Sequence, residues 1–144
     1  MLKVNYRPLK NDDIHFVVDA WLKNYSDQES VLKMHGCKGV HRTLILACLS
    51  KYQTIIACNP EDEDQIFGFL NYFTDDTNFI TNYVYVKTPF RSMGIGEKLF
   101  DCAKFPTYKE AIATHSTYVF HKFARAKKLE HFYYPHLIFK ELYT

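Results

Sequence analysis

A turn with two glycines, Arg91-Ser92-Met93-Gly94-Ile95-Gly96, is the stretch whose residue types and spacing are best suited to bind a ligand. It joins a predicted strand, Phe79–Lys87, rich in β-branched and aromatic residues, to a predicted helix, Gly94–Lys104. The first backbone N–H groups of a helix have no partner within the helix and lie at the positive end of its dipole. The turn therefore predicts a phosphate or pyrophosphate site, where glycine lets an anion approach the backbone. An ordinary strand-to-helix turn is the alternative.

This turn resembles the cofactor motif of the GNAT acetyltransferases, Gln/Arg-x-x-Gly-x-Gly/Ala. Arg91, Gly94 and Gly96 match its three fixed positions, and a strand and a helix flank them at the expected distances. Two other phosphate motifs do not fit. No Gly-Lys-Ser/Thr follows the turn, as a nucleotide P-loop requires, and the dinucleotide fingerprint needs a third glycine.

The resemblance implies that the chain binds acetyl-CoA as the acyl donor. In GNAT proteins the strand before the turn separates from its neighbour, and the pantetheine arm pairs with the exposed backbone, here that of Tyr85 and Val86. The pyrophosphate would lie on the N–H groups of Arg91, Ser92, Met93, Gly94, Ile95 and Gly96. Arg91 would add charge-assisted contacts to phosphate, or be a solvent-facing loop residue. Ser116 matches the place of a family Asn that touches the cofactor arm, or it caps the next helix.

The catalytic residues match the family less well. Acetyl transfer to an amine needs a base, yet no Asp or Glu occurs between Thr77 and Gly96, where many relatives have a carboxylate. His115 is the candidate base because its ordinary pKa is near 6.5. The alternative is a strand-end histidine bonded to the backbone. Asn82 would position the acceptor but hardly deprotonate it.

A proton donor for the CoA thiolate is also hard to identify. If Ser116 aligns with the family Asn, the usual tyrosine position is Phe123, which has no proton to give. Tyr118 is the candidate acid, although it falls one residue late and a helix-surface tyrosine is the alternative.

The resemblance is compatible with two functions. The first is an acetyl-CoA-dependent N-acetyltransferase that acts by direct transfer on a primary amine, in a small molecule or a peptide. The second is a GNAT-fold binding protein with weak or no catalysis and a protein partner. The intact turn favours the enzyme, which we expect, and the missing acid and carboxylate favour the binding protein. The segments Ser26–Gly39 and Tyr133–Pro135 would line the acceptor site.

The elements that must position these residues follow the order β-α-α-β-β-β-α-β-α-β-β, which is the GNAT order. The predicted elements are Lys3–Arg7, Asp12–Tyr25 (capped by Asn11 or Asp12), Val40–Lys51, Thr54–Cys58, Ile66–Phe73, Phe79–Lys87, Gly94–Lys104, Lys109–His115, a helix from Ser116 or Thr117 to Lys128, Glu130–Tyr134 and Leu137–Leu142. We expect one α/β (α+β) domain, residues 1–144, with a mixed, mostly antiparallel sheet. The strands Phe79–Lys87 and Glu110–His115 should be parallel neighbours that diverge toward a cleft. More loosely, Trp21-Leu22-Lys23 and Tyr83–Lys87 are similar to small GNAT-like proteins of bacterial viruses.

Composition indicates a globular chain and excludes some functions. Hydrophobic residues make up 47% and aromatic residues 17%, so aromatic side chains should fill the core. A net charge of +2 is too small for nucleic-acid binding, and the cluster Lys122, Arg125, Lys127 and Lys128 should be a solvated helix end. Four cysteines without Cys-x-x-Cys spacing, with Cys48 and Cys102 at apolar helix positions, indicate buried free thiols rather than a metal site. No signal peptide or membrane-length apolar run is present, so we expect a cytoplasmic protein that does not bind membranes.

Overall fold

The computed structural model describes residues 2–27, 38–75, 78–105, 110–115, 117–134 and 137. Its helices and strands are β1 (Asn5–Pro8), α1 (Ile14–Asp27), α2 (Lys38–Lys51), β2 (Gln53–Asn59), β3 (Asp62–Thr74), β4 (Phe79–Val86), α3 (Ile95–Cys102), β5 (Glu110–Ala113), α4 (Tyr118–Ala126) and β6 (Glu130–Tyr133). Short 3-10 turns, Asn11–Asp13 and Thr88–Phe90, precede α1 and α3.

The strands form one mixed sheet in the order β1-β2-β3-β4-β5-β6. Strands β1 to β4 are antiparallel to one another, and β4, β5 and β6 are parallel. The predicted fold class and element order are therefore confirmed as far as β6. The predicted loop within Ser26–Gly39 lies mostly outside the described residues, as does nearly all of the predicted strand Leu137–Leu142.

Strands β4 and β5 are parallel neighbours, as predicted, but they pair over a short length. The register joins Ile80 to Ile112 and Thr81 to Ala113, and the Thr114 N–H then donates to the Thr81 carbonyl at 3.0 Å. Strand β4 continues to Val86, five residues beyond Thr81. A gap therefore opens between β4 and the chain that follows β5.

A bulge in β4 lies where this gap begins. On β3, Asn71 pairs with Tyr83 and Tyr72 pairs with Thr81, so Asn82 is the extra residue. An extra residue bends its strand and increases the local twist. The bend at Asn82 accounts for the separation of β4 from β5.

Two hydrophobic clusters cover the two faces of the sheet. Helices α1 and α2 pack on one face through Val17, Trp21 and Ile45, among others. Helices α3 and α4 pack on the other, where Phe100 stacks on Phe123 with ring centroids 4.0 Å apart. The aromatic residues therefore fill the core, as predicted.

The start of α1 differs from the prediction. The carboxylate that caps this end is Asp13, which accepts from the Lys10 N–H at 2.8 Å, rather than Asn11 or Asp12. Asp13 also pairs with Arg7 at 2.6 Å, and both side chains are buried. The buried ion pair fixes α1 to β1 because an unpaired charge would be costly in the same place.

One boundary and one burial also differ. Strand β3 begins at Asp62 rather than Ile66, because the polar residues at its start still pair with β2 across two register shifts. Cys102 is exposed, whereas it was predicted to be buried, because it lies beside the apolar stripe at the last residue of α3. Cys48 and Cys58 are buried free thiols. Among the described helices, none is long and apolar enough to cross a membrane.

Candidate active site

The predicted turn lies directly before α3 and leaves the helix N-terminus open. Gly94 is the N-cap, with φ of 80°, and Ser92 has φ of 68°. The Lys98 N–H makes a hydrogen bond to the Gly94 carbonyl at 3.0 Å. The N–H groups of Ile95, Gly96 and Glu97 therefore precede the first intrahelical bond and are the donors that a helix start offers to an anion.

The two glycines serve different purposes. Gly94 adopts a left-handed conformation, and a Cβ added to it would meet no atom within 4 Å. A side chain at this position would therefore enter the open space in front of the turn. A Cβ on Gly96 would lie 2.9 Å from Cγ1 of Val119, so Gly96 allows α3 to approach α4 closely. The sequence motif did not reveal this packing role.

A groove of about 240 Å³ runs from the turn along α4. We call it the turn groove; its lining residues include Val86, Arg91, Ser92, Gly94, Gly96, Tyr118, Lys122 and Lys127. Lys122 donates to the Ser92 hydroxyl at 3.1 Å, and Lys127 pairs with Glu97 at 2.7 Å. Two lysines predicted to form a solvated helix face therefore line a groove at a helix N-terminus.

Arg91 is held in place at the mouth of the turn groove. Its Nε donates to the Val86 carbonyl at 2.9 Å, and its guanidinium lies 5.5 Å from the centre of the Tyr118 ring. Tyr118 is 57% exposed, and Met93 is equally exposed. Tyr118 thus supports Arg91 by a cation–π contact. The structure gives Arg91 two anchors beyond those expected of a solvent-facing loop residue.

The backbone N–H and C=O groups of every second residue of β4 point into the gap. The Lys87 N–H donates to the Phe67 carbonyl of β3 at 2.8 Å. Because hydrogen-bonding groups alternate between the two edges of a strand, the groups of Val86 point to the opposite edge, toward the gap. The backbone groups of Tyr85 point to β3, and the centre of its ring lies 5.7 Å from the centre of the Phe69 ring. Of the two residues predicted to pair with a cofactor arm, Val86 has the suitable orientation.

His115 lies where the gap begins. Its ring is 4% exposed and meets the edges of two aromatic rings, Trp21 at 5.2 Å and Tyr83 at 6.1 Å. Trp21 and Tyr83 are stacked 4.8 Å apart and close this side of the site. Trp21 Nε1 is a buried donor without a hydrogen-bond partner among the described residues.

Burial changes the acid–base properties of His115. Desolvation lowers the pKa of His115 to about 4, a hydrogen bond to the Asn82 backbone carbonyl opposes that effect, and the nearby His41 lowers the pKa further. The imidazole is therefore neutral at pH 7 and can accept a hydrogen bond, but it holds a proton more weakly than an ordinary histidine. The sequence suggested an ordinary pKa, and the structure replaces it with a lowered one.

Asn82 is fully buried beside His115. Its amide donates to Asn71 Oδ1 at 2.8 Å, and its Oδ1 lies 3.1 Å from the Thr114 hydroxyl. It lies within the core rather than on an open wall, so it acts on other side chains. Ser116 lies outside the described residues, and Thr117 caps α4 by accepting from the Phe120 N–H at 3.2 Å.

Several residues of this region were not singled out from the sequence. Trp21 was named only in the looser resemblance to proteins of bacterial viruses, and Lys122 and Lys127 only in a basic cluster. Thr114 and Asn71 carry no motif, although the adjacency of Thr114 to His115 was a signal. Among the described residues, no group of three or more His, Cys, Asp or Glu side chains could hold a metal ion.

This chain is similar to known proteins in its structure rather than in its sequence. No protein-family model matches the chain, and no curated protein sequence matches it. A proposed acetyl transferase from Pyrococcus furiosus is 14% identical, with TM-score 0.55, over 96% of this chain and 90% of that protein. AAC(6')-Iy, solved with the bisubstrate analog CoA-S-monomethyl-acetylneamine, is 13% identical, with TM-score 0.52, over 89% and 91% of the two chains.

A third structure is PaiA N-acetyltransferase from Thermoplasma acidophilum in complex with coenzyme A. It is 16% identical, with TM-score 0.50, over 72% of this chain and 70% of that protein. The aligned part spans slightly less than two thirds of some other neighbours, 65% and 64% of their length. The resemblance to proteins of bacterial viruses gains no support from these structures. The sheet order, the diverging strands and the two nearly full-length matches agree, and the chain therefore has the fold of the GNAT N-acetyltransferases.

Proposed function

We propose that this protein is an acetyl-CoA-dependent N-acetyltransferase that acts on a primary amine by direct transfer. The observation that carries the proposal is that two features lie next to each other: the open N-terminus of α3 and the gap between β4 and β5. One suits a pyrophosphate and the other an extended arm, and Val86 borders both. CoA is a ligand with a pyrophosphate followed by an extended pantetheine arm.

The residues of the turn groove fit such a cofactor. The N–H groups of Ile95, Gly96 and Glu97 would bind the pyrophosphate, together with those of Ser92, Met93 and Gly94. The Arg91 N–H, which the sequence also suggested, is not available because it donates to the Thr88 carbonyl at 3.2 Å. Arg91 and Lys122 would add positive charge, and the open space in front of Gly94 would admit the anion. Val86 would pair with the arm in the manner of an added strand. Solved neighbours bind coenzyme A and a CoA bisubstrate analog, which supports this choice of cofactor.

Acetyl-CoA supplies an acetyl group as a thioester, so that the amine nitrogen gains a bond to carbon, the carbon–sulfur bond breaks and the amine loses a proton. His115, neutral at pH 7, would accept that proton or orient the amine through a hydrogen bond. Asn82 would hold His115 in position, and Trp21 and Tyr83 would exclude water. Tyr118 remains the candidate acid, although its exposure gives it better access to solvent than to the gap.

The acceptor is an amine of a small molecule or a peptide. AAC(6')-Iy was solved with the bisubstrate analog CoA-S-monomethyl-acetylneamine, which supports a small-molecule amine. Within the described residues the walls near His115 are aromatic. Of the segments expected to complete the acceptor site, Ser26–Gly39 lies largely outside the described residues, whereas Tyr133 and Tyr134 of Tyr133–Pro135 are described and exposed.

A binding protein that has lost efficient chemistry is the second candidate. Phe123, at the expected acid position, is buried against Phe100 and Phe105, and has no proton to donate. The lowered pKa of His115 also makes it a weak base. Both observations would suit a protein that uses the cofactor groove for recognition.

Labelled acetyl-CoA incubated with a panel of primary amines and peptides tests the enzyme. We expect slow transfer that His115→Ala lowers by about 10²-fold or more, because a general base contributes about that much. Tyr118→Phe should lower the rate only if the hydroxyl reaches the thiolate. CoA binding without labelled product from any acceptor would favour the binding protein, and no CoA binding would contradict the enzyme.

A further inference from the structure

Four buried polar side chains form a continuous hydrogen-bonded series that ends at His115. We call it the polar chain; its members are Asn71 of β3, Asn82 of β4, Thr114 and His115. Asn71 and Asn82 have no exposed surface, and Thr114 and His115 are 1% and 4% exposed. Buried hydrogen bonds of this kind are costly to leave incomplete, so each donor must face an acceptor.

The orientation of the Asn71 amide is set at the far end of the polar chain. Its Nδ2 donates to the backbone carbonyls of Cys48 at 3.3 Å and Gln53 at 3.2 Å, and to the Thr54 hydroxyl at 2.9 Å. A carbonyl oxygen only accepts, so the NH₂ group must lie on this side. Asn71 Oδ1 consequently faces Asn82 and accepts from Asn82 Nδ2 at 2.8 Å.

The same reasoning fixes the hydrogen-bond directions of the next two members of the polar chain, Asn82 and Thr114. Because Asn82 Nδ2 is directed at Asn71, Asn82 Oδ1 faces the Thr114 hydroxyl, at 3.1 Å. Neither this amide oxygen nor the Asn82 backbone carbonyl, 3.4 Å from the hydroxyl, has a proton, so the single hydroxyl proton of Thr114 must be donated to one of these two oxygens. The Thr114 oxygen is then an acceptor toward His115 Nδ1, which lies 3.0 Å away. The reverse arrangement would leave two oxygens facing each other without a proton between them.

We propose that Thr114, Asn82 and Asn71 are positioning residues that hold His115 in the tautomer with its proton on Nδ1 and its lone pair on Nε2. The titratable groups near the ring are His41 of α2 and Tyr83 of β4; Trp21 of α1 carries no charge.

The fixed tautomer gives His115 a defined direction as a base. Its Nε2 lone pair would take the proton that the amine nitrogen loses as the new nitrogen–carbon bond forms, and the imidazolium would later release it to solvent. Nδ1–H remains donated to Thr114 in both protonation states, so the polar chain needs no rearrangement during transfer. This catalytic meaning rests on the proposed function, whereas the tautomer can be measured without turnover.

Nitrogen NMR of the ¹⁵N-histidine-labelled protein at pH 7.5 tests the proposal directly. The two-bond ¹H–¹⁵N correlations of His115, assigned by their loss in His115→Gln, should show a protonated Nδ1 and an unprotonated Nε2. Thr114→Val removes the acceptor and should shift the population toward Nε2–H, whereas Thr114→Ser should restore the original pattern. Nε2–H in the unaltered protein, or no change in Thr114→Val, would overturn the proposal.

Thr81→Val is a matched control because Thr81 is also buried on the same strand pair, and its hydroxyl has no hydrogen-bond partner among the described residues. It should leave the His115 signals unchanged. If a transferable amine is found, Thr114→Val should lower kcat about 10-fold or more without weakening CoA binding. An Nδ1–H tautomer without acetylation of any amine would contradict the proposed function alone, and acetylation with the Nε2–H tautomer would contradict this proposal alone.

Discussion

Lys122 Nζ on α4 lies 3.1 Å from the hydroxyl of Ser92 in the turn before α3. The contact brings an ammonium from one helix to the open N-terminus of another, where it adds to the positive end of the dipole. The closely packed pair of helices makes this possible, since Gly96 has no side chain to hold α4 away. Part of the positive charge of the turn groove thus comes from a residue that is 26 positions after Gly96 in the sequence.

Lys122→Met should weaken CoA binding about fivefold, because an exposed charge–phosphate contact contributes about 1 kcal/mol. The difference from the unaltered protein should shrink at high salt, since exposed charges are screened. Isothermal titration calorimetry with CoA at low and high salt measures both effects. Lys128→Met is the matched control, because Lys128 is an exposed lysine of the same segment that does not line the turn groove. Equal losses in the two variants would remove Lys122 from the site.

Gly94 substitutions should separate folding from cofactor binding. At a hundred times its dissociation constant CoA should stabilise the unaltered protein by about 2.7 kcal/mol, a melting shift of roughly 5 to 10 °C. Gly94→Val should lose this shift, because its side chain would enter the open space in front of the turn. It should also be destabilised by about 1–2 kcal/mol, since φ is 80° at this position.

Gly94→Asn provides the sharper comparison for the same site, because Asn tolerates a left-handed backbone better than Val does. Its melting temperature without ligand should stay closer to that of the unaltered protein, while its side chain still fills the same space. Differential scanning fluorimetry with and without CoA records both values. A full CoA shift in Gly94→Asn would mean that the turn does not hold the pyrophosphate.

Gly96→Ala should destabilise the protein by about 1–3 kcal/mol, although alanine is the better helix former. The reason is the approach of 2.9 Å between the new Cβ and Val119 Cγ1. Urea unfolding measures the loss. Adding Val119→Ala should recover part of it, because the shorter side chain removes the contact. Additive losses in the double variant would show that the two positions do not interact.

The buried His115 should make the protein less stable in mild acid. The pKa is about 4 in the folded state and near 6.5 when unfolded, so the unfolded chain binds more protons between these values. Stability therefore rises with pH in this window and falls as the pH is lowered, by up to about 1.4 kcal/mol per pH unit. This contribution is fully present above about pH 6.5.

The matched comparison for this pH effect is His115→Gln, which keeps a polar side chain but does not titrate. Urea unfolding at a series of pH values from 7 to 4.5 should give a steeper loss of the free energy of unfolding for the unaltered protein, by roughly 2 kcal/mol over the range. Other groups, such as the Asp13 carboxylate held by Arg7, titrate in both proteins and cancel in the difference. Parallel curves would show that the histidine is not buried in solution.

The sequence by itself determined the order of elements and the position of the turn. Apolar periodicity in the stretch from Ile14 to Leu22 and β-branched residues in Phe79–Lys87 are local signals, and local signals specify local structure. The Arg-x-x-Gly-x-Gly spacing of Arg91, Gly94 and Gly96 is likewise contained within one segment. The fold class and the predicted cofactor turn could therefore be inferred without coordinates.

Only the tertiary structure decided how these elements act together. The bulge at Asn82 depends on the pairing of β3 with β4, and the lowered pKa of His115 depends on Trp21 and Tyr83 closing over it. The contact of Lys122 with Ser92 and the packing of Gly96 on Val119 likewise join residues that are far apart in sequence. Desolvation and hydrogen-bond direction arise from what surrounds a side chain in space, and no spacing rule within the sequence records those surroundings.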